Sequence, residues 1–291
     1  MFLKFIRISI LSNCKLKADI LFILMKKSII AKKKYGQNFL KDKNILSMII
    51  QSMPKNSNPI VEIGPGLGDL TENLVKYKDT TAYEVDTDLI TVLKSKFAIE
   101  IENKRLKLIH TDVLKAWDEK GSLHQEEYDL IANLPYYIAT NIILRAFEDI
   151  NCKNIIVMVQ REVAQKFTAK VNDKEYSSLS IITELVSKDA RILFDVPPES
   201  FDPPPKVVSS ILYISKKEKV ELDKNFLKFL KVCFTQPRKK LFKNLSSVYN
   251  KEFLSNIYNE LNINETLRPH QVDVSLYSQM YTKVKNGKQQ S

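Results

Sequence analysis

Four short apolar runs, each closed by a glycine or polar residues, constrain this chain more than any other feature. They are "PIVEIG" (59–64), "TTAYEVD" (80–86), "LKLIHTD" (106–112) and "YDLIANL" (128–134). Apolar runs this short read as strands buried on both faces, as in a parallel sheet. Segments with helical spacing separate or follow them: "DLTENLVKY" (69–77), "TDLITVLKSKF" (87–97) and "ATNIILRAFE" (139–148). "NIIVMVQ" (154–160) predicts a fifth strand and "REVAQKFTAK" the helix after it. Strands alternating with helices predict an α/β fold with a doubly wound parallel sheet. "NILSMIIQSM" (44–53) predicts a leading helix stopped by Pro54, and "SLSIITELV" (178–186) is ambiguous but leans to helix. "ARILFDV" (190–196) and "VVSSILYIS" (207–215) predict closing strands, read as antiparallel. Beyond residue 215 only helical spacing remains, from "LDKNFLKFLKVCF" to "VSLYSQMYTKV". The reading is a sheet domain over 31–215, an all-helical domain over 216–285, and an extension of open role over 1–30.

Charge divides along the same lines. The net charge is +11, but residues 1–34 carry nine Lys/Arg against one Asp, and residues 216–291 carry fifteen against seven acids. Each end is therefore +8 and the middle −5. Basic ends on a mildly acidic body suit a polyanion gripped by the ends, or else a Lys-rich solubilising surface. Three scattered cysteines without a C-x-x-C pair, and three histidines, argue against a disulfide framework or a metal site. No apolar stretch in residues 1–24 approaches the roughly 18 residues that a membrane span requires. The expectation is that the functional chain starts near Met25, with a targeting leader as the alternative.

"VEIGPGLGDLT" sets Glu62, Gly64, Gly66 and Gly68 at a strand-to-helix turn, where glycines let backbone approach a ligand. The spacing G-x-G-x-G is not the dinucleotide G-x-G-x-x-G. Glu84 ends the second strand and can accept hydrogen bonds from ribose hydroxyls; Asp112 ends the third and can take an adenine amine. Singly, each acid is an ordinary solvated strand end. On successive strand ends they predict an adenosine-containing cofactor.

"NLPY" (133–136) closes the fourth strand with residues that a strand disfavours. The exocyclic amine of adenine is a poor nucleophile because its lone pair is delocalised into the ring. Two acceptors on its N–H groups, the Asn133 side chain and the Leu134 backbone carbonyl, would favour the tetrahedral geometry that methylation needs. Pro135 would fix the turn and Tyr136 would stack on a flipped base. An ordinary strand-ending turn with a packed tyrosine is the plain alternative.

Six blocks, "GQNFL" (36–40), "VEIGPGLGDLT" (61–71), "YEVD" (83–86), "NLPYYIAT" (133–140), "VPPESFDPPPKVVSS" (196–210) and "QPRKKLFKNL" (236–245), come in one order and spacing. The chain thereby resembles the ribosomal RNA adenine N6-dimethyltransferases over about residues 30–285, most closely the small-subunit (16S) branch. The resemblance implies S-adenosylmethionine as cofactor and two adjacent adenosines in the 3′-terminal hairpin loop of small-subunit rRNA as substrate. It implies a monomeric cytoplasmic enzyme without membrane contact, acting on a pre-assembled subunit during ribosome biogenesis. Asn38 and Leu40 would contact the methionine part, Gly64 and Gly66 would lie under the cofactor, Glu84 would hold its ribose and Asp112 its adenine. Asn133, Leu134, Pro135 and Tyr136 would form the catalytic turn, with Phe201 as the second aromatic face. "RKK" (238–240) and "AKKK" (31–34) would bind RNA backbone. Asn141 departs from the family's usual proline or small residue. A large-subunit dimethyltransferase conferring macrolide resistance, a non-catalytic nucleic-acid binder on the same fold, and a DNA adenine methyltransferase stay open as alternatives.

Overall fold

The computed structural model describes residues 37–218 and 222–287. The expectations for residues 1–24, for the 1–30 extension and for the basic run 31–34 lie outside the described residues. Nine strands are described: β1 (Phe39–Leu40), β2 (Ile60–Ile63), β3 (Thr80–Glu84), β4 (Leu106–His110), β5 (Tyr128–Asn133), β6 (Cys152–Gln160), β7 (Ser187–Val196), β8 (Phe201–Asp202) and β9 (Ser209–Lys216). Seven form one sheet in the order β4-β3-β2-β5-β6-β9-β7. The pairs β2–β3, β3–β4, β2–β5 and β5–β6 are parallel. The two edge fragments β1 and β8 pair antiparallel with each other.

This order makes a Rossmann-like sheet with its reversal between β2 and β5. The chain leaves β2 toward β3 and β4, then returns to place β5 on the other side. Ligands of open α/β sheets bind at such a switch point, outside the carboxyl ends of the strands. β2 is buried throughout and β5 in all but Asn133, and both are largely apolar, which fixes their register: β2 pairs Ile60 with Thr80 on one flank and with Asp129 on the other.

The helices that follow β3 and β4 start on acids at the strand ends. Asp86 caps the helix Thr87–Lys96 through Asp88 N (3.1 Å), and Asp112 caps the helix Val113–Lys120 through Leu114 N (2.8 Å). Each cap is worth about 1 kcal/mol. The second of these helices has no counterpart in the sequence reading: "VLKAWDEK" is short, and its apolar face is carried by Val113, Ala116 and Trp117 alone. Gly121 closes it at φ +74. The helix over Ser178–Val186 and the strands β7 and β9 form where the apolar spacing placed them.

By packing, the described chain has two compact units. One runs to Gln160 and takes in Phe194–Ile211; the other joins Arg161–Leu193 to the chain from Leu212 on. The second unit holds the helices Arg161–Thr168, Ser178–Val186, Lys224–Cys233, Leu241–Leu245, Lys251–Glu260 and Val274–Gly287. Its core is aromatic: Phe226, Phe229, Tyr277 and Tyr281 meet with ring centroids 5.1–6.5 Å apart. Edge-to-face contacts such as Phe226–Tyr281 add about 0.5–1.5 kcal/mol beyond burial. No described helix is long and apolar enough to cross a membrane.

Candidate active site

The carboxyl ends of β2 to β5 open into a cavity whose empty space, mouth included, is about 1140 Å³. Its wall includes ten of the predicted residues: Asn38, Leu40, Gly64, Gly66, Glu84, Asp112, Asn133, Leu134, Pro135 and Tyr136.

The glycine turn needs its glycines. Gly64 stands at φ +69 and donates its N–H to Tyr83 O (2.9 Å), tying the turn to β3. A Cβ built there would meet only Pro135 Cδ, at 3.9 Å, so the space beside Gly64 is open to a ligand. Gly66, at φ +60, would push a Cβ to 3.0 Å from the Phe39 ring. Both positions exclude a side chain on conformational grounds as well.

Glu84 is held by backbone. Its Oε1 accepts from Val85 N and Asp86 N, both at 2.9 Å, and its Oε2 from Gly66 N at 3.3 Å. Burial raises its pKa while these three N–H groups oppose the rise. A carboxylate has about four acceptor sites, so capacity remains for a ligand hydroxyl. Asp112 spends Oδ1 on its helix cap and is otherwise exposed at the cavity wall. Val85 and Val113, each one residue beyond a carboxylate, give the wall apolar surface for a flat ring. Glu62 lines the cavity too, 1 % exposed, and accepts from Thr71 Oγ1 at 2.7 Å. Burial pushes its pKa up to about 8, with Glu84 adding to the rise, so it stands protonated at neutral pH.

The strand-ending turn is pinned from three sides. Leu134 N donates to Met158 O on β6 (3.1 Å), and Ile138 N to Pro135 O (3.2 Å). Tyr136 Oη meets Ser209 Oγ at 2.6 Å. Asn133 Nδ2 donates to Asn38 O at 3.1 Å. A carbonyl can only accept, so the amide nitrogen is the atom that faces Asn38, and Oδ1 is left toward the cavity.

Asn38 belongs to a strap, 37–42, that forms one wall. Gln37 Nε2 reaches Asp86 Oδ2 (3.1 Å), Lys41 Nζ reaches Asp69 Oδ2 (2.6 Å), and Lys41 N donates to Ser200 O (2.8 Å). Phe201 is not brought into the cavity wall. It is 4 % exposed on β8, its backbone in register with Leu40. Its neighbourhood reaches the site through β1 instead. The residues "RKK" (238–240) are exposed ahead of the helix Leu241–Leu245. They form no ion pair with the described residues.

Three contributors escaped the sequence reading. Glu62 sat inside the glycine motif but was not assigned to the site; an acid at the penultimate position of an apolar strand was the signal. Ser209 and Asn244 gave none, because their partners lie 73 and 8 residues away. Asn244 is buried and clamps the basic loop, accepting from Gln236 N and donating to Gln236 O, both at 3.1 Å.

The family model described as ribosomal RNA adenine dimethylase matches residues 29–286. A ribosomal RNA small subunit methyltransferase A of Aliarcobacter butzleri is 74% identical over 258 residues, 89% of this chain and 97% of that protein. Its namesake in Sulfurimonas denitrificans is 56% identical, over 87% of this chain and 93% of that one. Among solved structures, a dimethyladenosine transferase from Plasmodium falciparum superposes at TM-score 0.72 and 24% identity, over 85% of this chain and 98% of its own. The 23S rRNA methyltransferase ErmE does so at 0.63 and 21%, over 85% and 100%. At those identities the two structures speak for the fold alone. The family model spans both units and the curated relatives match nearly end to end, so the chain belongs to the ribosomal RNA adenine dimethylase family.

Proposed function

We propose that the protein dimethylates the N6 amines of two adjacent adenosines in the 3′-terminal hairpin loop of small-subunit rRNA. It does so in the cytoplasm as a monomer, during small-subunit biogenesis and on a pre-assembled subunit. The substrate comes from the resemblance and from the names of the relatives. The observation that carries the chemistry is the Asn133 amide, turned by Asn38 so that Oδ1 is left as an acceptor in the cavity.

The residues present fit S-adenosylmethionine. The open side of Gly64 admits a ligand against the backbone, and Glu84 offers remaining acceptor capacity to ribose hydroxyls. Asp112, beside Val113, suits an adenine amine, and Asn38 and Leu40, also in the cavity wall, would take the methionine end. When bound, this cofactor supplies an electrophilic methyl group on a sulfonium sulfur. Asn133 Oδ1 and the Leu134 carbonyl accept the two N–H groups of the target amine and localise its lone pair. Neither must be a strong base, since the amine proton becomes acidic only as the N–C bond forms. After one transfer a single N–H remains, and either oxygen can hold it for the second. The Tyr136 ring gives the flipped adenine a stacking face.

Arg238, Lys239, Lys240 and Lys243 are exposed around the loop that Asn244 clamps. We assign them to RNA phosphates, which fix position and carry no sequence information.

The test offers S-adenosylmethionine with a labelled methyl and three acceptors: small subunits lacking the modification, large subunits, and duplex DNA. Label in the small-subunit RNA is the expected result. Label confined to large-subunit RNA would move the protein to the resistance branch. Binding without transfer would overturn the catalytic reading.

A further inference from the structure

We infer that Ser209 is a positioning residue for methyl transfer, acting through the hydroxyl of Tyr136. This rests on the proposed function, in which the Tyr136 ring receives the flipped base.

Strand β9 opens with two serines, both 0% exposed. Side chains alternate along a strand, so the two face opposite ways. Ser210 Oγ donates to Asp195 Oδ1 at 2.6 Å and ties β9 to β7. Ser209 Oγ meets Tyr136 Oη at 2.6 Å, short for a hydroxyl pair. It is the one hydrogen bond of either hydroxyl among the described residues. A tyrosine ring anchored only at Cα turns about two side-chain bonds. One anchored at its far end keeps the direction of its long axis before a base arrives, since the bond at Oη restrains the swing about Cα–Cβ. The ring then loses less rotamer freedom on stacking, and the base is received at one place beside Asn133 and Leu134. Tyr136 belongs to the same short turn as those two groups, so a tilt of the ring moves the base relative to both acceptors. The bond also spans 73 residues of sequence, latching the turn after β5 to the start of β9.

The pair of serines supplies its own control. Methyl transfer to unmodified small subunits, its KM for subunits and cofactor affinity would be measured for the wild type, Ser209→Ala, Tyr136→Phe, the double variant and Ser210→Ala. Ser209→Ala and Tyr136→Phe should each lower kcat about ten- to a hundredfold. Cofactor affinity should not change, and the double variant should be no worse than either single one. Ser210→Ala should lower thermal stability while kcat stays at the wild-type value. Multiplying losses in the double variant would overturn the inference. So would a fall in cofactor affinity matching the fall in kcat, or wild-type kcat in Tyr136→Phe, and the latter stands even if Ser209→Ala does not fold. Absence of transfer by the wild type would overturn the functional reading and the role of Ser209 with it. Wild-type transfer with undiminished Ser209→Ala would overturn the role of Ser209 alone.

Discussion

At the strand ends of the sheet unit, polar groups are held one atom at a time. Three backbone N–H groups fix the Glu84 carboxylate, a carbonyl orients the Asn133 amide, and Tyr136 is latched through its hydroxyl. The helical unit holds its functional groups the other way. A ring cluster and the Asn244 clamp shape the backbone, while Arg238, Lys239 and Lys240 extend into solvent. The difference suits what each region is proposed to handle. Moving one carbon to one nitrogen tolerates little displacement, whereas a charged chain can be met by any cation of suitable reach. Single substitutions should therefore act sharply in the first region and in small, additive steps in the second.

Asn133→Ala should break the contrast most visibly. Turnover is expected to fall about 10²–10³-fold, the usual cost of one oriented polar group at a reacting centre. Cofactor affinity by calorimetry should stay near the wild-type value; an equal fall would make Asn133 a binding residue. Glu84→Ala should weaken cofactor binding about ten- to a hundredfold, the range for hydrogen bonds to a charged acceptor. Its three freed N–H groups, Gly66 among them, make some loosening of the glycine turn part of that loss.

In the helical unit, Arg238→Ala, Lys239→Ala and Lys240→Ala together should raise the KM for subunits and leave kcat unchanged. They should also lower the slope of log affinity against log salt by about one per cation removed. Asn244→Ala keeps every charge and removes only the clamp, so its effect should share the sign and be smaller. A collapse of kcat in either variant would mean that this region acts on chemistry as well as on binding.

The smallest effect concerns Glu62, whose folded pKa of about 8 stands above an ordinary 4.5. Between those values the folded state keeps a proton that the unfolded state has lost, so stability falls as pH rises from about 5 to 8 and then levels. Glu62→Gln should flatten that slope in denaturant melts at pH 5, 6.5 and 8, most visibly at the top of the range. An unchanged slope would mean that the carboxyl ionises within the fold.

What the sequence made legible follows the same divide. Glu84, Asp112 and Asn133 could be read because strand ends in an open α/β sheet converge, so positions far apart in sequence acquire a shared location. The alternation of strand and helix pointed to a doubly wound sheet but not to its strand order, and hence not to the switch point between β2 and β5. Ser209 could not be read, since a hydrogen bond across 73 residues leaves no local pattern. The resemblance pointed to Asn38 and Leu40, but the pairing of their strap with β8, two residues on each side, could not be read either. For Phe201 the resemblance implied an aromatic face; its backbone pairs with Leu40 and its side chain is buried on β8. In the helical unit, helical spacing gave the elements, but the loop that presents 238–240 depends on a buried asparagine that no periodicity marks.

The account rests most heavily on two acceptor oxygens, Asn133 Oδ1 and the Leu134 carbonyl, completing two transfers to one amine. The direct measurement is nucleoside analysis of small-subunit RNA after reaction with the purified protein and S-adenosylmethionine. Recovery of the label as N6,N6-dimethyladenosine at two adjacent positions is the predicted result. Label that stops at the monomethyl stage under excess enzyme, or that sits on an atom other than N6, would contradict it.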